Sequence, residues 1–353
     1  MPFGGPIAVV TAALAGKPLR YWSARPFGIL WQIQQNPKMT HPLPSFAIAL
    51  LVLLTAGCQR AAPSQAARGA SPANGQAQQV WRQVREALDR HASVQCKLYQ
   101  EVRLYDQHLL GHGSYLQGPP GYHWSNFELA VKLDPHDTIV KQRCDGEYLW
   151  IFRSADGLPR LGRVDVQRVL AAGRAGGAER SGVPALGIGG LPKLCEAMNQ
   201  AFRFTEVRRA TLEKQPVYRL RGEWTPARLA HWLPDQKAAI EGGGDVDLTK
   251  LPPPIPDHVV IYVGAGDFFP RRIEYWRTDY KAPAGDDAAQ RLVLLSFSKI
   301  EFDEPVDRRS FIYEPGPLPV ADETDLYIRS LGLTPVPEAA AVPPGSSAAG
   351  PTR

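Results

Sequence analysis

Hydrophobic and polar positions along this chain change period twice. Over Gln79–Ser93, Val80, Val84 and Leu88 recur at i, i+4 and i+8 with Trp81 beside them, while Arg82, Arg85, Glu86, Asp89 and Arg90 fall on the other side. That spacing predicts one amphipathic helix. From Cys96 the period becomes two: Leu98, Val102 and Leu104 alternate with Lys97, Glu101 and Arg103, which predicts a strand with one buried face. Gly111 and Gly113 mark a curved or bulged second strand, Gly118-Pro-Pro-Gly121 a turn, and Tyr122–Leu129 a third strand with Trp124 and Phe127 in it. Ile139–Arg143 and Glu147–Arg153 form a hairpin around Asp145-Gly146. Three further helices are predicted: Val164–Ala172, Leu191–Phe202 with Pro192 in its first turn, and one opened by Thr225-Pro226 and running to Leu233. Strands are expected at Arg203–Arg209, Val217–Trp224, Val259–Val263, Arg271–Thr278, Leu292–Phe302 and Phe311–Tyr313, with a Gly/Pro loop over 241–257. The pattern is mainly β with helices, an α+β chain whose antiparallel sheet is too wide to stay flat and must curl around helices or a ligand.

The segment from Phe46 to Leu54 is uncharged and runs through Thr55-Ala-Gly57 into Cys58. An apolar stretch of about 12 residues has the length of a signal-peptide core and is too short to span a bilayer. It resembles a bacterial lipobox, with Thr55 where leucine is more usual. That likeness implies a diacylglycerol- and palmitate-bearing Cys58 at a new N-terminus; the alternative is a plain secretory signal with an incidental cysteine. Met39 gives a signal of ordinary length and is the expected true start, so residues 1–57 are assigned to the signal region. Gln59 in place of an acidic residue, by similarity to the proteobacterial sorting rule, implies the outer membrane and a periplasm-facing protein.

Residues 58–78 are rich in Ala, Ser, Pro, Gly and Gln and read as a flexible tether with a reach of about 25 Å. The domain is expected over 79–332 and a disordered tail over 333–353. The whole chain has 40 Lys and Arg against 35 Asp and Glu. Lys17, Arg20, Arg25 and Lys38 lie in the signal region, which has no acid, so the rest keeps 36 against 35, a net charge of +1. No basic stripe remains to draw nucleic acid. Three cysteines follow the signal: Cys96, Cys144 and Cys195. They permit at most one internal disulfide, for which Cys96–Cys144 is the first choice, three buried thiols being the alternative.

Enzyme signatures are lacking. No Gly-x-Ser-x-Gly occurs. Gly187-Ile-Gly-Gly190 precedes a helix without the strand that a dinucleotide site needs and reads as a hinge. His108, His112 and His123 are expected on the surface rather than on a metal, and Asp134-Pro-His136-Asp137 in a turn. No cofactor is expected.

The leading helix, Asp145-Gly-Glu-Tyr-Leu-Trp-Ile-Phe152, Phe269-Pro-Arg-Arg-Ile-Glu-Tyr-Trp276 and the closing Pro305-Val-Asp-Arg-Arg-Ser-Phe-Ile-Tyr-Glu-Pro-Gly316 resemble, in that order, the LolA/LolB-like lipoprotein carriers, including their planctomycete-type branch. The resemblance implies an unclosed β-barrel of about eleven strands, capped by three or four short helices around an apolar cavity. It implies binding of acyl chains or lipoproteins, a membrane contact through the lipid anchor, and a carrier or sensor partner protein. Insertions near 173–190 and 234–257 depart from the small carriers. The alternatives are an RseB-like sensory module that detects lipids or mislocalised lipoproteins, and a periplasmic hydrolase. The expected cavity lining is Leu98, Val102, Leu104, Trp124, Phe127, Leu149, Ile151, Ile261, Ile273, Tyr275, Leu292 and Leu294, under a lid of Trp81, Val84 and Leu88. For each of these the alternative is ordinary core. A register slip would exchange them for Trp150, Phe152 and Trp276.

Overall fold

Twelve strands hydrogen-bond into one sheet in the order β12-β6-β5-β4-β3-β2-β1-β11-β10-β9-β8-β7. The structure is a computed structural model and describes residues 72–335 except 105–106, 134–135, 156, 176–187, 279–288 and 332. Helix α1 (Pro72–Arg90) leads into β1 (Val94–Leu104), β2 (Gln107–Gln117), β3 (Ser125–Leu133), β4 (His136–Cys144), β5 (Tyr148–Ala155) and β6 (Leu158–Asp165). Helices α2 (Val166–Ala175) and α3 (Gly190–Ala201) follow. Then come β7 (Phe202–Leu212), β8 (Gln215–Trp224), α4 (Pro226–Trp232) and α5 (Lys237–Gly242). The chain closes with β9 (His258–Gly264), β10 (Pro270–Thr278), β11 (Ala289–Phe302), β12 (Val320–Asp322) and α6 (Thr324–Ser330). All neighbours are antiparallel except β12 on β6. The two edge strands, β12 and β7, each pair on one side only, so the sheet curls without closing. This is the expected unclosed, barrel-like α+β architecture.

Local rules account for most elements. Asp145 Oδ1 accepts from the backbone N–H groups of Glu147 and Tyr148, and Gly146 takes φ 93°. The Asp-Gly pair therefore turns β4 into β5 as expected. Gly113 is required because the β3 backbone passes against it: a Cβ there would collide with the Glu128 carbonyl. Pro226 occupies the first turn of α4 behind Thr225, where its missing N–H costs nothing.

Three expectations need correction. Helix α1 begins at Pro72, so it takes residues 72–78 that composition gave to the tether; Ala77 on this added length is buried. Residues 311–313 do not form a strand. A 3-10 turn, Arg308–Phe311, runs into an extended strap. Cys96 and Cys144 are free and buried. They lie on β1 and β4, three strands apart, about 14 Å at sheet spacing and far beyond disulfide reach. Burial raises the thiol pKa of Cys96, Cys144 and Cys195 to about 12, which keeps them protonated.

The inner face of the sheet carries two separate buried clusters. The larger joins β1–β3 and β7–β11 to α1, α3, α4 and α5. The smaller joins Cys144, Leu149, Ile151 and Val164 to α2 and α6.

Candidate functional site: a sealed inner face and an open outer groove

Helix α1 lies on the inner face through Ala77, Val80, Trp81, Val84 and Leu88, each at most 5% exposed. The Trp81 ring packs on Phe204 of β7 at 4.3 Å, and Gln78 Nε2 donates to the Phe204 carbonyl at 3.2 Å. The Trp81 indole N–H is buried with no acceptor among the described residues. Helix α3 adds Leu191, Leu194, Cys195, Met198 and Ala201. Its first turn is held by one buried polar contact: Tyr115 Oη donates to Gln117 Oε1 at 2.7 Å and accepts from the Leu191 N–H at 2.8 Å. Burial pushes the Tyr115 phenol far above its ordinary range, so it stays a neutral donor. Gly189 and Gly190, where α3 starts, take φ 78° and 56°; Gly187 lies outside the described residues.

A Pro-rich loop completes the roof. The Arg277 guanidinium donates to the carbonyls of Thr249, Leu251, Pro252 and Ile255, and Trp224 Nε1 donates to Pro256 O at 2.7 Å. Four carbonyls on one guanidinium fix the loop so that Leu251 and Ile255 enter the core. Beside it, Asp257 binds the ring of His258 and accepts from the Thr278 N–H. Burial pushes the Asp257 carboxyl up, but these bonds and the histidine outweigh it and bring the pKa down to about 2.

Most residues expected to line a cavity do meet on this inner face. Trp81, Val84, Leu88, Leu98, Val102, Phe127, Ile261, Ile273, Tyr275 and Leu292 belong to the larger cluster, and Leu149 and Ile151 to the smaller one. Here they contact one another. Two residues go elsewhere. Trp124 precedes β3 and packs outside on Phe311 at 5.6 Å and against Tyr122 at 4.8 Å. Leu294 is buried on the opposite face, opposite Glu101 and Glu274. Its neighbour explains why: β10 and β11 pair Tyr275 with Val293 and Trp276 with Arg291. Leu292 is thus the extra residue of a bulge, and both Leu292 and Val293 enter the core. Leu104 ends β1, but its side chain lies outside the described residues, as do Cys58 and the whole signal region.

The outer face is polar at its centre. Glu101 and Glu274 are buried there, and Arg291 reaches both, at 2.8 Å and 3.5 Å. Arg103 and His108 also bind Glu101, and Trp276 Nε1 donates to Glu274 at 3.1 Å. Burial pushes the Glu101 carboxyl up, yet the bonds from Arg103 and His108 and the charge of Arg291 leave it lowered. His108 is thus a carboxylate partner. His112 packs on the Tyr99 ring at 5.0 Å. Among the described residues no group of three or more His, Cys, Asp and Glu could hold a metal, and no helix is long and apolar enough to cross a membrane.

Further along the outer face, over β3–β5, the strap after Arg308 encloses a groove of about 740 Å³. Ile139, Lys141, Arg143 and Phe152 form its floor; Arg309, Ile312, Tyr313 and Glu314 form its wall. The strap is held by Asn126 Nδ2 donating to Ser310 O at 3.0 Å, Arg143 Nη1 donating to Ile312 O at 3.3 Å, and Tyr313 stacked on Trp150 at 5.6 Å. Sequence reasoning placed Phe152 and Trp150 only as register alternatives. The signal for a second covered face is the unbroken apolar run Tyr148-Leu-Trp-Ile-Phe152, since a strand wet on one side alternates.

No family model matches the chain, and no curated protein matches it in sequence. Solved structures do. A DUF1329 family protein from Desulfovibrio piger is 10% identical, covering 69% of this chain and 98% of its own, at a TM-score of 0.31. The Mycobacterium tuberculosis lipoprotein LppX is 11% identical, covering 66% and 98%, at 0.29. A LolA superfamily protein from Nitrosomonas europaea is 12% identical, covering 67% and 97%, at 0.25. Proteins of the LolA superfamily, the family that the sequence resembles, are thus among the solved structures similar to this chain.

Proposed function

We propose that this chain is an acyl-anchored, periplasm-facing lipoprotein that takes the hydrocarbon chains of a lipid or lipoprotein between its inner sheet face and helices α1 and α3. The observation that carries the proposal is the larger inner cluster. It is one continuous apolar interior from Leu98 to Phe297, roofed by two helices whose polar ties to the sheet include Tyr115 and Gln78. Burying a 16-carbon chain away from water releases about 12 kcal/mol, and exchanging membrane for protein interior changes almost nothing. Small terms then decide direction: the side-chain contacts given up when α1 and α3 lift, and the affinity of the next acceptor. The unpaired Trp81 N–H supplies one donor inside this interior for an ester or carboxyl oxygen, a group that hydrocarbon alone would leave unsatisfied. Because the lining side chains contact one another, a ligand enters as the helices move.

Mass spectrometry of organic extracts of the purified chain tests the proposal. The expected result is about one acyl-bearing molecule per chain beyond the anchor, lost when Trp81 and Leu88 are replaced by charged residues in a variant that keeps its far-ultraviolet spectrum. Absence of lipid, with no uptake of a fluorescent fatty acid, contradicts it.

A further inference from the structure

The outer groove lies on the face of the sheet opposite the interior and has its own chemistry. Its floor and wall offer apolar surface from Ile139, Phe152 and Ile312, the last 41% exposed. Three cationic side chains, Lys141, Arg143 and Arg309, face one carboxylate, Glu314. Lys141 is paired with Glu128 at 2.8 Å, whereas Arg143 and Arg309 have no carboxylate partner among the described residues. Arg143 lies over the Tyr313 ring at 6.0 Å, and at the neighbouring edge Arg308 lies over Trp124 at 5.5 Å. Its size is that of a small-molecule site. A free phosphate would engage the guanidiniums and leave the apolar floor wet. A bare hydrocarbon would cover the floor and leave two guanidiniums without a counter-charge. A molecule with an anionic head and an alkyl chain satisfies both, and aromatic rings beside arginines at an exposed edge are the residues that settle at a lipid headgroup layer.

We infer that this groove binds one anionic phospholipid, with the phosphate between Arg143 and Arg309 and an acyl chain along Ile139, Phe152 and Ile312. The site does not depend on the inner one: a chain whose interior binds nothing would still present it. The full chain in its membrane is photolabelled with phosphatidylglycerol bearing a diazirine in one acyl chain, digested and mapped by mass spectrometry. The expected labels fall on the peptides containing Ile139–Phe152 and Arg309–Glu314. They drop about fivefold with a phosphatidylcholine probe and about fivefold in Arg143→Glu/Arg309→Glu. Because Arg143 also holds the Ile312 carbonyl, Arg309→Glu alone is the second variant, with a drop of about twofold and an unchanged melting temperature. Equal labelling by the zwitterionic probe, or undiminished labelling in both variants, overturns the proposal. Label confined to α1 and α3 also overturns it, while supporting the inner site.

Discussion

The two faces of one sheet solve opposite problems. On the inner face Trp81, Val84, Leu88 and their partners across β7–β11 are sealed under helices. On the outer face a strap stands off the strands, leaving Ile312 and two guanidiniums in contact with water. The same strands build both: in β5, Leu149 and Ile151 point in and Trp150 and Phe152 point out. What covers an apolar side chain thus decides its role. A residue under a helix stores stability, which the proposed ligand uptake would have to release. A residue under a strap, such as Ile312 at 41% exposed, stays in contact with water.

The contrast can be broken by substitution. Trp81→Ala should cost about 3–5 kcal/mol, because it empties the contact with Phe204; urea denaturation measures it, and a cost below about 1 kcal/mol would mean that α1 does not seal the interior. Arg291→Met should cost about 3 kcal/mol by leaving Glu101 and Glu274 buried with one fewer cation, read in the same way. Asp257 has a pKa lowered from 3.8 to about 2 in the folded state. Its contribution of about 2 kcal/mol is therefore complete above pH about 4 and vanishes as pH falls through about 2. Melting temperature followed across that window should fall in the native chain and stay flatter in Asp257→Asn. Tyr115→Phe removes the acceptor for the Leu191 N–H and should cost about 1–2 kcal/mol, with faster amide exchange in α3 than in α2. Ile312→Ala on the outer wall should change stability by less than about 0.5 kcal/mol; a larger loss would make the strap part of the core.

Periodicity made the α+β composition, the Asp145-Gly146 hairpin, α3 and the inward set on β1, β5, β9 and β10 legible, because each follows from local spacing. Three features are not local. The bulge at Leu292 depends on how β11 matches β10, and it alone sends Leu294 to the outer face. The start of α1 depends on Ala77 finding a core, which an Ala- and Gln-rich stretch does not announce. The strap over Arg308–Glu314 is fixed by Asn126, Arg143 and Trp150, far away in sequence, so a β-rich pattern at 311–313 reads as a strand until its partners are known.

If the inner face admits hydrocarbon, it opens beneath α1 and α3. Hydrogen–deuterium exchange of the chain with and without palmitate reads that opening segment by segment. Altered protection is expected in α1, α3 and the inner strands β7–β9, with β4–β6 unchanged. Saturating palmitate that leaves every one of these segments exchanging as before would contradict it.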